Sequence, residues 1–462
     1  MFDNESTLRS PRQIALEAAA SEPLRLVLGD AHKRRGPGLL LASIVCFALV
    51  LVGAVAWLLA FGIEKSQPGF WQTSTVSVLY WVGISQALVA VSAILRITHA
   101  AWRYPLNRML DIASLFGLWM VLLLPVLMMG RHEIYMLGMG VHTDKVWHMR
   151  DAYPLVWDSL AVLTGYFAGW ALLYLTSLPD FAMLRDRAGA GTKQSKLYGR
   201  LAGNWRGTSR QWQVLRRAEG VLVVMIITSF VGSQTILGWD FELAAARNWE
   251  SSIFGGEYIM TCLLAALASA VLIMTVIGRR LLGFFTLKQY DNLGRMMVGL
   301  ALVWTYFRIC DFLTSWYGHI PEEWLIQDSR TFKVPVLALL SIVGCAAIPI
   351  FGNLTPFFRR KPWALCGISI CVLIGTACQL DTNMMPVFAP KYGNAPLLPT
   401  LSSVVTFIGV GAMFVLTYLV AGRFFPLMSW WGTTKERTRR AERKMGNSTV
   451  TVMVEDPPLW EA

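Results

Sequence analysis

Patterns that would bind a redox cofactor are missing from this sequence of 462 residues. Its seven cysteines form no Cys-x-x-Cys or Cys-x-x-Cys-His pattern, which excludes c-type haem attachment and gives no support to a disulfide framework. The histidines lie in tails, connections or at the edges of apolar stretches, so none is placed to hold haem b between helices: His32, His99, His132, His142, His148 and His319. We therefore expect a chain without haem, iron–sulfur cluster or metal of its own.

Charged residues are rare in ten long apolar stretches. A helix needs about 20 apolar residues to cross the hydrocarbon layer of a membrane. Inside that layer each backbone N–H and C=O must be satisfied within the protein, so such stretches are helical. The sequence predicts an all-α polytopic membrane protein with ten spans, at residues 38–63, 77–96, 109–130, 155–178, 218–238, 258–278, 296–316, 334–352, 363–379 and 399–421.

The distribution of basic residues predicts the orientation. Of 41 Lys and Arg residues, 32 lie in the two tails and the even-numbered connections, 8 lie on the other side and Arg308 lies within a span. Because cytoplasmic connections retain positive charge, both tails, residues 1–37 and 422–462, are expected to be cytoplasmic and to flank a membrane domain at 38–421. The net charge of +12 then reflects topology and attraction to anionic membrane lipid rather than nucleic-acid binding.

A short internal match indicates a repeat. Span 3 begins with Asn107-Arg108-Met109-Leu110, and span 7 begins with Gly294-Arg295-Met296-Met297. Both spans run in the same direction, so the repeat is parallel. It predicts two four-helix bundles, at about residues 77–238 and 258–379, with spans 1 and 10 at the periphery.

Three ionisable residues fall clearly within the predicted spans. Asp158 lies about one turn into span 4, and Arg308 and Asp311 share one face of span 7. Placing an ionisable group inside a membrane costs free energy, so such a group indicates a function. We interpret Arg308 and Asp311 as a proton path or, alternatively, as an internal structural ion pair. Gln86 in span 2 is a candidate pocket residue, although an interhelical hydrogen bond would also explain it.

Several further stretches resemble the NrfD/PsrC family, the cofactor-free membrane subunits of polysulphide reductase-like complexes. The resemblance is closest to the ten-helix subunits ActC and ActF of alternative complex III, which oxidises quinol. It covers about residues 30–425 and is carried by residues 80–87, 92–96, 102–103, 107–108, 154–158, 177–180, 184–187, 197–199, 205–210, 212, 239–242, 249, 253–254 and 311–317.

This resemblance implies a quinol pocket near the outer face, built from a His, two Asp and an Arg. Asp158 and Asp240 match the two acids and are the candidate acceptors of quinol protons. Quinol oxidation releases protons, which a carboxylate or imidazole beside the ring must accept. The family His falls at Met128 and the family Arg at Thr382. Methionine cannot take a proton, and threonine cannot bind an oxygen through charge, so this pocket departs from the family pattern.

The resemblance also implies function and partners. We expect a membrane subunit of a quinol-oxidising respiratory complex in the bacterial inner membrane, binding menaquinol or ubiquinol and translocating protons. Its partners would be an iron–sulfur subunit over the outer connections, c-type cytochrome subunits and a paralogous membrane subunit. The alternatives are an accessory structural subunit with a degenerate quinol pocket, or a solute transporter, although transporters favour inverted repeats and broken helices.

Overall fold

The structure of the chain is a computed structural model. It describes most of the membrane domain and part of the C-terminal tail. The described residues are 37–64, 68–129, 153–187, 193–243, 251–278, 285, 287–388, 400–425, 427, 429, 438–445 and 448–455.

Ten helical segments are long and apolar enough to cross a membrane. This confirms the prediction of an all-α polytopic membrane protein. Seven of the spans are single α-helices. Span 1 is Pro37–Glu64, span 2 is Pro68–Ile97, span 4 is Tyr153–Arg187, span 6 is Phe254–Gly278 and span 7 is Leu287–Gly318. Spans 9 and 10 are likewise the helices Pro362–Phe388 and Leu401–Phe424.

The other three spans change their helical type along their length. Span 3 is the α-helix Tyr104–Asp111, a 3₁₀ segment Ile112–Trp119 and the α-helix Met120–Met129. Span 5 is Ser209–Gly238 followed by a π-helical turn, Trp239–Leu243. Span 8 is Pro335–Ile342, a π-helical turn Val343–Ala347 and Ile348–Leu354. Mid-helix 3₁₀ and π segments are often found at functional positions.

The spans pack as two closed groups of four. Span 2 packs on spans 3 and 5, and span 4 packs on the same two spans, which forms a first bundle. Spans 6, 7, 8 and 9 contact one another in the same cyclic order and form a second bundle. Consecutive spans alternate in direction, so each member of the second bundle runs the same way as its counterpart four spans earlier.

Span 2 lies at the centre of the molecule and span 1 at its edge. Span 2 packs against spans 6 and 9 of the second bundle, and 89% of its most apolar part is buried inside the protein. Span 1 packs mainly on span 10 and is only 17% buried by the protein. A Cβ on Gly53 would lie 2.7 Å from the Cα of Gly409, so glycine allows this pair of helices to touch backbone to backbone.

Short helices cover both ends of the bundles. Lys193–Ala202 follows span 4, and its Tyr198 packs with Phe181 and Trp205 in a small separate core. Pro321–Thr331, here called the cap helix, connects spans 7 and 8. The side of the molecule that carries the connections after spans 2, 4, 6 and 8 is here called the basic face, and the cap helix lies at the opposite face.

The structure differs from the sequence predictions in two respects. The helices run further than the predicted spans, so that the bundles reach to Leu243 and Phe388 rather than to 238 and 379. The C-terminal tail contains an antiparallel hairpin, Thr438–Met445 paired with Ser448–Glu455, which the sequence analysis did not predict. Its second strand is rich in Val and Thr, whose branched side chains favour strands.

Candidate functional site

The two acids that were matched to the quinol pocket meet in the first bundle. Asp158 is 2% exposed in span 4, and Asp240 lies in the π-helical turn that ends span 5. Their carboxyl groups are hydrogen-bonded to each other. A hydrogen bond between two carboxyl groups requires a proton between them. The pair can therefore hold one proton and exchange it.

A small cavity adjoins this acid pair between spans 2, 3, 4 and 5. Asp158 and Ser159 of span 4 line it together with apolar side chains such as Val82, Leu124 and Phe241, and the surface that faces the cavity is apolar. Its volume of about 20 Å³ corresponds to the room of a single water molecule. A quinol ring would fit only after side chains at the end of span 3 or span 5 had moved.

Two residues predicted to belong to the quinol pocket, Met128 and Thr382, are not among the described residues that line this cavity. Met128 lies in the last turn of span 3, next to Leu127 of the cavity wall, but its side chain lies outside the described residues. Thr382 is buried in span 9 of the second bundle, where its hydroxyl donates to the carbonyl oxygen of Gln379 at 2.8 Å. The position matched to the family Arg is thus placed in the other bundle.

Gln86 holds three helices of the first bundle together. Its Nε2 donates to the carbonyl oxygen of Val162 in span 4 at 2.8 Å. Its Oε1 accepts hydrogen bonds from Gln234 Nε2 at 2.7 Å and from Ser233 Oγ at 3.0 Å, both in span 5. These are the interhelical hydrogen bonds considered as the alternative in the sequence analysis, and Gln86 is not among the residues that line the cavity.

Arg308 and Asp311 lie in the second bundle as part of a larger charged cluster. Their closest approach is 4.0 Å, and Arg308 lies nearer to Glu257, at 3.8 Å. The shortest ion pair of Asp311 is instead with Arg330 of the cap helix, at 3.0 Å. The predicted pair is therefore a loose contact, and the cap helix supplies the stronger partner.

Two amide side chains connect the acids of this cluster. Asn383 accepts from Arg330 at 2.6 Å and donates from Nδ2 to Glu242 Oε2 at 3.1 Å. Gln379 donates from Nε2 to Glu257 Oε1 at 2.6 Å and to Asn383 Oδ1 at 3.1 Å. We call Glu242, Glu257, Arg308, Asp311 and Arg330, together with these two amides, the charged cluster.

The π-helical turn of span 5 contributes to both sites. Asp240 bonds to Asp158 in the first bundle, whereas Glu242, two residues later, bonds to Asn383 in the second. The cavity and the charged cluster are thus connected by one five-residue turn, and a movement of this turn would alter both.

Sequence reasoning missed three members of the charged cluster. Glu242, Glu257 and Arg330 are each 0% exposed, although all three had been placed outside the predicted spans. The three ionisable residues predicted within the spans, Asp158, Arg308 and Asp311, are therefore only part of the buried set. The signal for Arg330 was its position on one face of an amphipathic helix with Ile326 and Gln327, which are also buried.

A second set of buried ion pairs closes the first bundle at the basic face. Arg96 binds Asp111 at 2.6 Å and Glu219 at 2.8 Å. Arg108 is 1% exposed and binds Asp180 at 2.8 Å. All three pairs join different spans, so they stabilise the packing of the bundle rather than line the cavity near the opposite face.

The repeat motif has different surroundings in the two bundles. Arg295, which corresponds to Arg108, is 59% exposed and bonds to Asp291 of its own helix at 2.7 Å. Asp291 is also bound by Arg359 at 2.9 Å. The topology repeats, but the buried arginine of the first bundle does not.

No metal-binding arrangement is found in the part of the chain that the structure describes. There, no group of three or more His, Cys, Asp or Glu side chains could hold a metal ion. All seven cysteines are free thiols. His99 and His319 lie just beyond the ends of spans 2 and 7, and the other four histidines lie outside the described residues.

No family model matches the chain, and no curated protein matches it. The site is therefore interpreted from its own geometry and from the resemblance described above.

Proposed function

We propose that this chain is the membrane subunit of a respiratory quinol-oxidising complex, related to the NrfD/PsrC family and nearest to ActC and ActF. The observation that carries the proposal is the hydrogen-bonded pair of Asp158 and Asp240 beside a cavity of the first bundle. Two parallel four-helix bundles with two peripheral spans, the arrangement that the resemblance implies, support it further.

In this proposal the acid pair, which already holds one proton, accepts the two protons of quinol one at a time and releases the first before it takes the second. A quinol loses two electrons and two protons when it becomes a quinone. Asp158 lines the cavity and Asp240 is its hydrogen-bond partner. A carboxylate within hydrogen-bond distance of a ring hydroxyl can act as the general base. The electrons leave to a metal centre of a partner, since redox cofactors carry that step.

The partners are proposed on the side of the cap helix. An iron–sulfur subunit would lie over the connections around 239–257 and 317–331, near the end of span 5 that carries Asp240. Tyr317 and Leu325 at this face are 79% and 63% exposed, which suits contact with protein or with the membrane interface. The c-type cytochrome subunits and a paralogous membrane subunit complete the proposed complex, with both tails of this chain in the bacterial cytoplasm.

A second candidate is an accessory subunit without quinol chemistry. Met128 and Thr382 at the positions of the family His and Arg favour it, and so does a cavity no larger than about one water molecule. A transporter is the weakest candidate, because both bundles run in parallel and are not related by inversion.

Replacement of Asp158 by Asn tests the proposal in the intact complex. Asn preserves the size of the side chain but cannot accept a proton. We expect quinol-dependent reduction of the partner to fall by a factor of about 10²–10⁴ while the complex still assembles. Glu219→Gln is the matched control, because Glu219 lies on span 5 at the basic face and should leave turnover unchanged.

Two outcomes decide between the candidates. Unchanged quinol oxidation in Asp158→Asn would identify the chain as an accessory subunit. Met128→His restores the family residue, and its imidazole, with an ordinary pKa of about 6.5, could take a proton at neutral pH. In the proposed function this variant raises turnover or the affinity for a quinone analogue.

A further inference from the structure

The charged cluster of the second bundle contains one more acid than it has arginines. Its acids are Glu242, Glu257 and Asp311, and its arginines are Arg308 and Arg330. All five are at least 87% buried, so the charges are hardly shielded by solvent. With every group ionised the cluster would carry one net negative charge inside the membrane, which is unfavourable.

The oxygens of Asp311 are fully used by hydrogen bonds. Its Oδ1 accepts from Ser251 Oγ at 3.0 Å, and its Oδ2 accepts from Arg330 Nη1 at 3.0 Å. A carboxylate that is bonded to a guanidinium remains ionised most easily. Asp311 is therefore the fixed counter-charge of Arg330.

The two glutamates are each bonded at one oxygen only. Glu242 Oε2 accepts from Asn383, and Glu257 Oε1 accepts from Gln379. Glu242 Oε1 and Glu257 Oε2 have no hydrogen-bond partner among the residues that the structure describes. Buried polar atoms normally have a partner, so each of these oxygens is a place where a proton would be stabilising.

The amides between the glutamates have one orientation only. Gln379 Oε1 accepts from Ser341, which leaves its Nε2 for Glu257 and Asn383. Asn383 Oδ1 accepts from Arg330 and Gln379, which leaves its Nδ2 for Glu242. Each glutamate thus receives one amide N–H, and the surroundings do not assign the extra proton to one of them.

We propose that Glu242 and Glu257 form a proton-binding site in the second bundle, in which the two carboxylates share one exchangeable proton. Uptake converts one carboxylate and one proton into one carboxylic acid, which balances the cluster at two negative and two positive charges. Tyr258 and Cys262 of span 6 and Cys345 of span 8 face the glutamates as further titratable groups. The proposal requires neither quinol nor a partner protein.

Infrared spectroscopy of the full chain in detergent tests this site through the C=O band of a buried carboxylic acid. At neutral pH we expect two such bands that shift in D₂O, one from Asp158–Asp240 and one from the glutamates. Asp240→Asn should remove only the first. Glu242→Gln and Glu257→Gln should each remove the second completely, because the remaining two acids then balance the two arginines and no proton is needed.

The controls separate this site from the proposed quinol pocket. Glu219→Gln, on the same helix as Glu242 but at the basic face, should retain both bands. A second band that survives in either glutamine variant would overturn the shared proton. If neither variant can be purified, the Asp240→Asn protein decides, since the proposal requires one remaining band and its absence refutes the site whatever the quinol activity.

Discussion

In the first bundle two acids bond to each other beside apolar walls, whereas in the second bundle three acids are surrounded by two arginines and two amides. Asp158 lines a cavity with room for about one water molecule, and Asp240 bonds to Asp158. Glu242, Glu257 and Asp311 are held by Asn383, Gln379 and Arg330 in a continuous hydrogen-bonded network.

This difference assigns different tasks to bundles of the same topology. An acid pair with adjacent space can exchange protons with a molecule that enters the cavity. Buried acids that are tied to arginines lose much of their stabilisation when one partner is removed, so their first role is to hold the helices and the cap helix together. The π-helical turn Trp239–Leu243 is the element through which the two sites meet.

The largest effect is expected from Arg330, which anchors the cap helix in the second bundle. Arg330→Gln removes the cation that binds Asp311 and donates to Asn383, and it leaves buried carboxylates without charge compensation. We expect a loss of about 3–5 kcal/mol in the free energy of unfolding, measured by thermal or denaturant unfolding in detergent.

Matched variants show whether burial causes this loss. Arg330→Lys keeps the positive charge but cannot bond to both Asp311 and Asn383 as the guanidinium does. Its loss in the free energy of unfolding should be smaller than that of Arg330→Gln. Arg360→Gln at the basic face changes an exposed arginine and should alter stability by less than about 0.5 kcal/mol. Equal effects of Arg330→Gln and Arg360→Gln would contradict the structural role of the cluster.

The next effect concerns the repeat motif, where one arginine is buried and its counterpart is exposed. Arg108→Gln breaks the pair with Asp180 and the bond to the carbonyl oxygen of Thr176, so we expect a loss of about 3 kcal/mol. Arg295→Gln affects an exposed pair within one helix and should cost about 0.3–0.5 kcal/mol. Unfolding of the two variants under identical conditions measures the difference, and similar losses would show that the bundles do not differ at this position.

Much of the fold could be predicted because the membrane imposes a simple rule on the sequence. Long apolar stretches must be helices, so all ten spans were found. Most spans were predicted too short, because the predicted spans stopped where polar residues began. Glu257 stands one residue before the predicted start of span 6, and Glu242 stands four residues after the predicted end of span 5, yet both lie in helices and are buried.

The candidate site was predicted less completely. A buried charge whose partner is distant in the sequence leaves no pattern among its neighbours along the chain that would reveal its burial. Asp158 and Asp240 could be named from the resemblance, and the structure brings them together. Arg330 lies 19 residues from Asp311 and had been assigned to an outer connection. Its burial depends on the folding of the cap helix back onto spans 7 and 9, which hydropathy does not encode.

The smallest effect on stability is expected in the first bundle, at the acid pair itself. Asp158→Asn keeps a side chain of the same size, and its amide can donate the hydrogen bond to Asp240 that a carboxyl proton supplies in the native pair. We expect the free energy of unfolding to change by no more than about 1 kcal/mol, well below the effect of Arg330→Gln. The same unfolding measurement in detergent provides the comparison. A small loss of stability together with a large loss of quinol oxidation would show that Asp158 acts in the reaction and contributes little to stability. A loss as large as that of Arg330→Gln would instead mean that both bundles use their buried acids to hold the helices together.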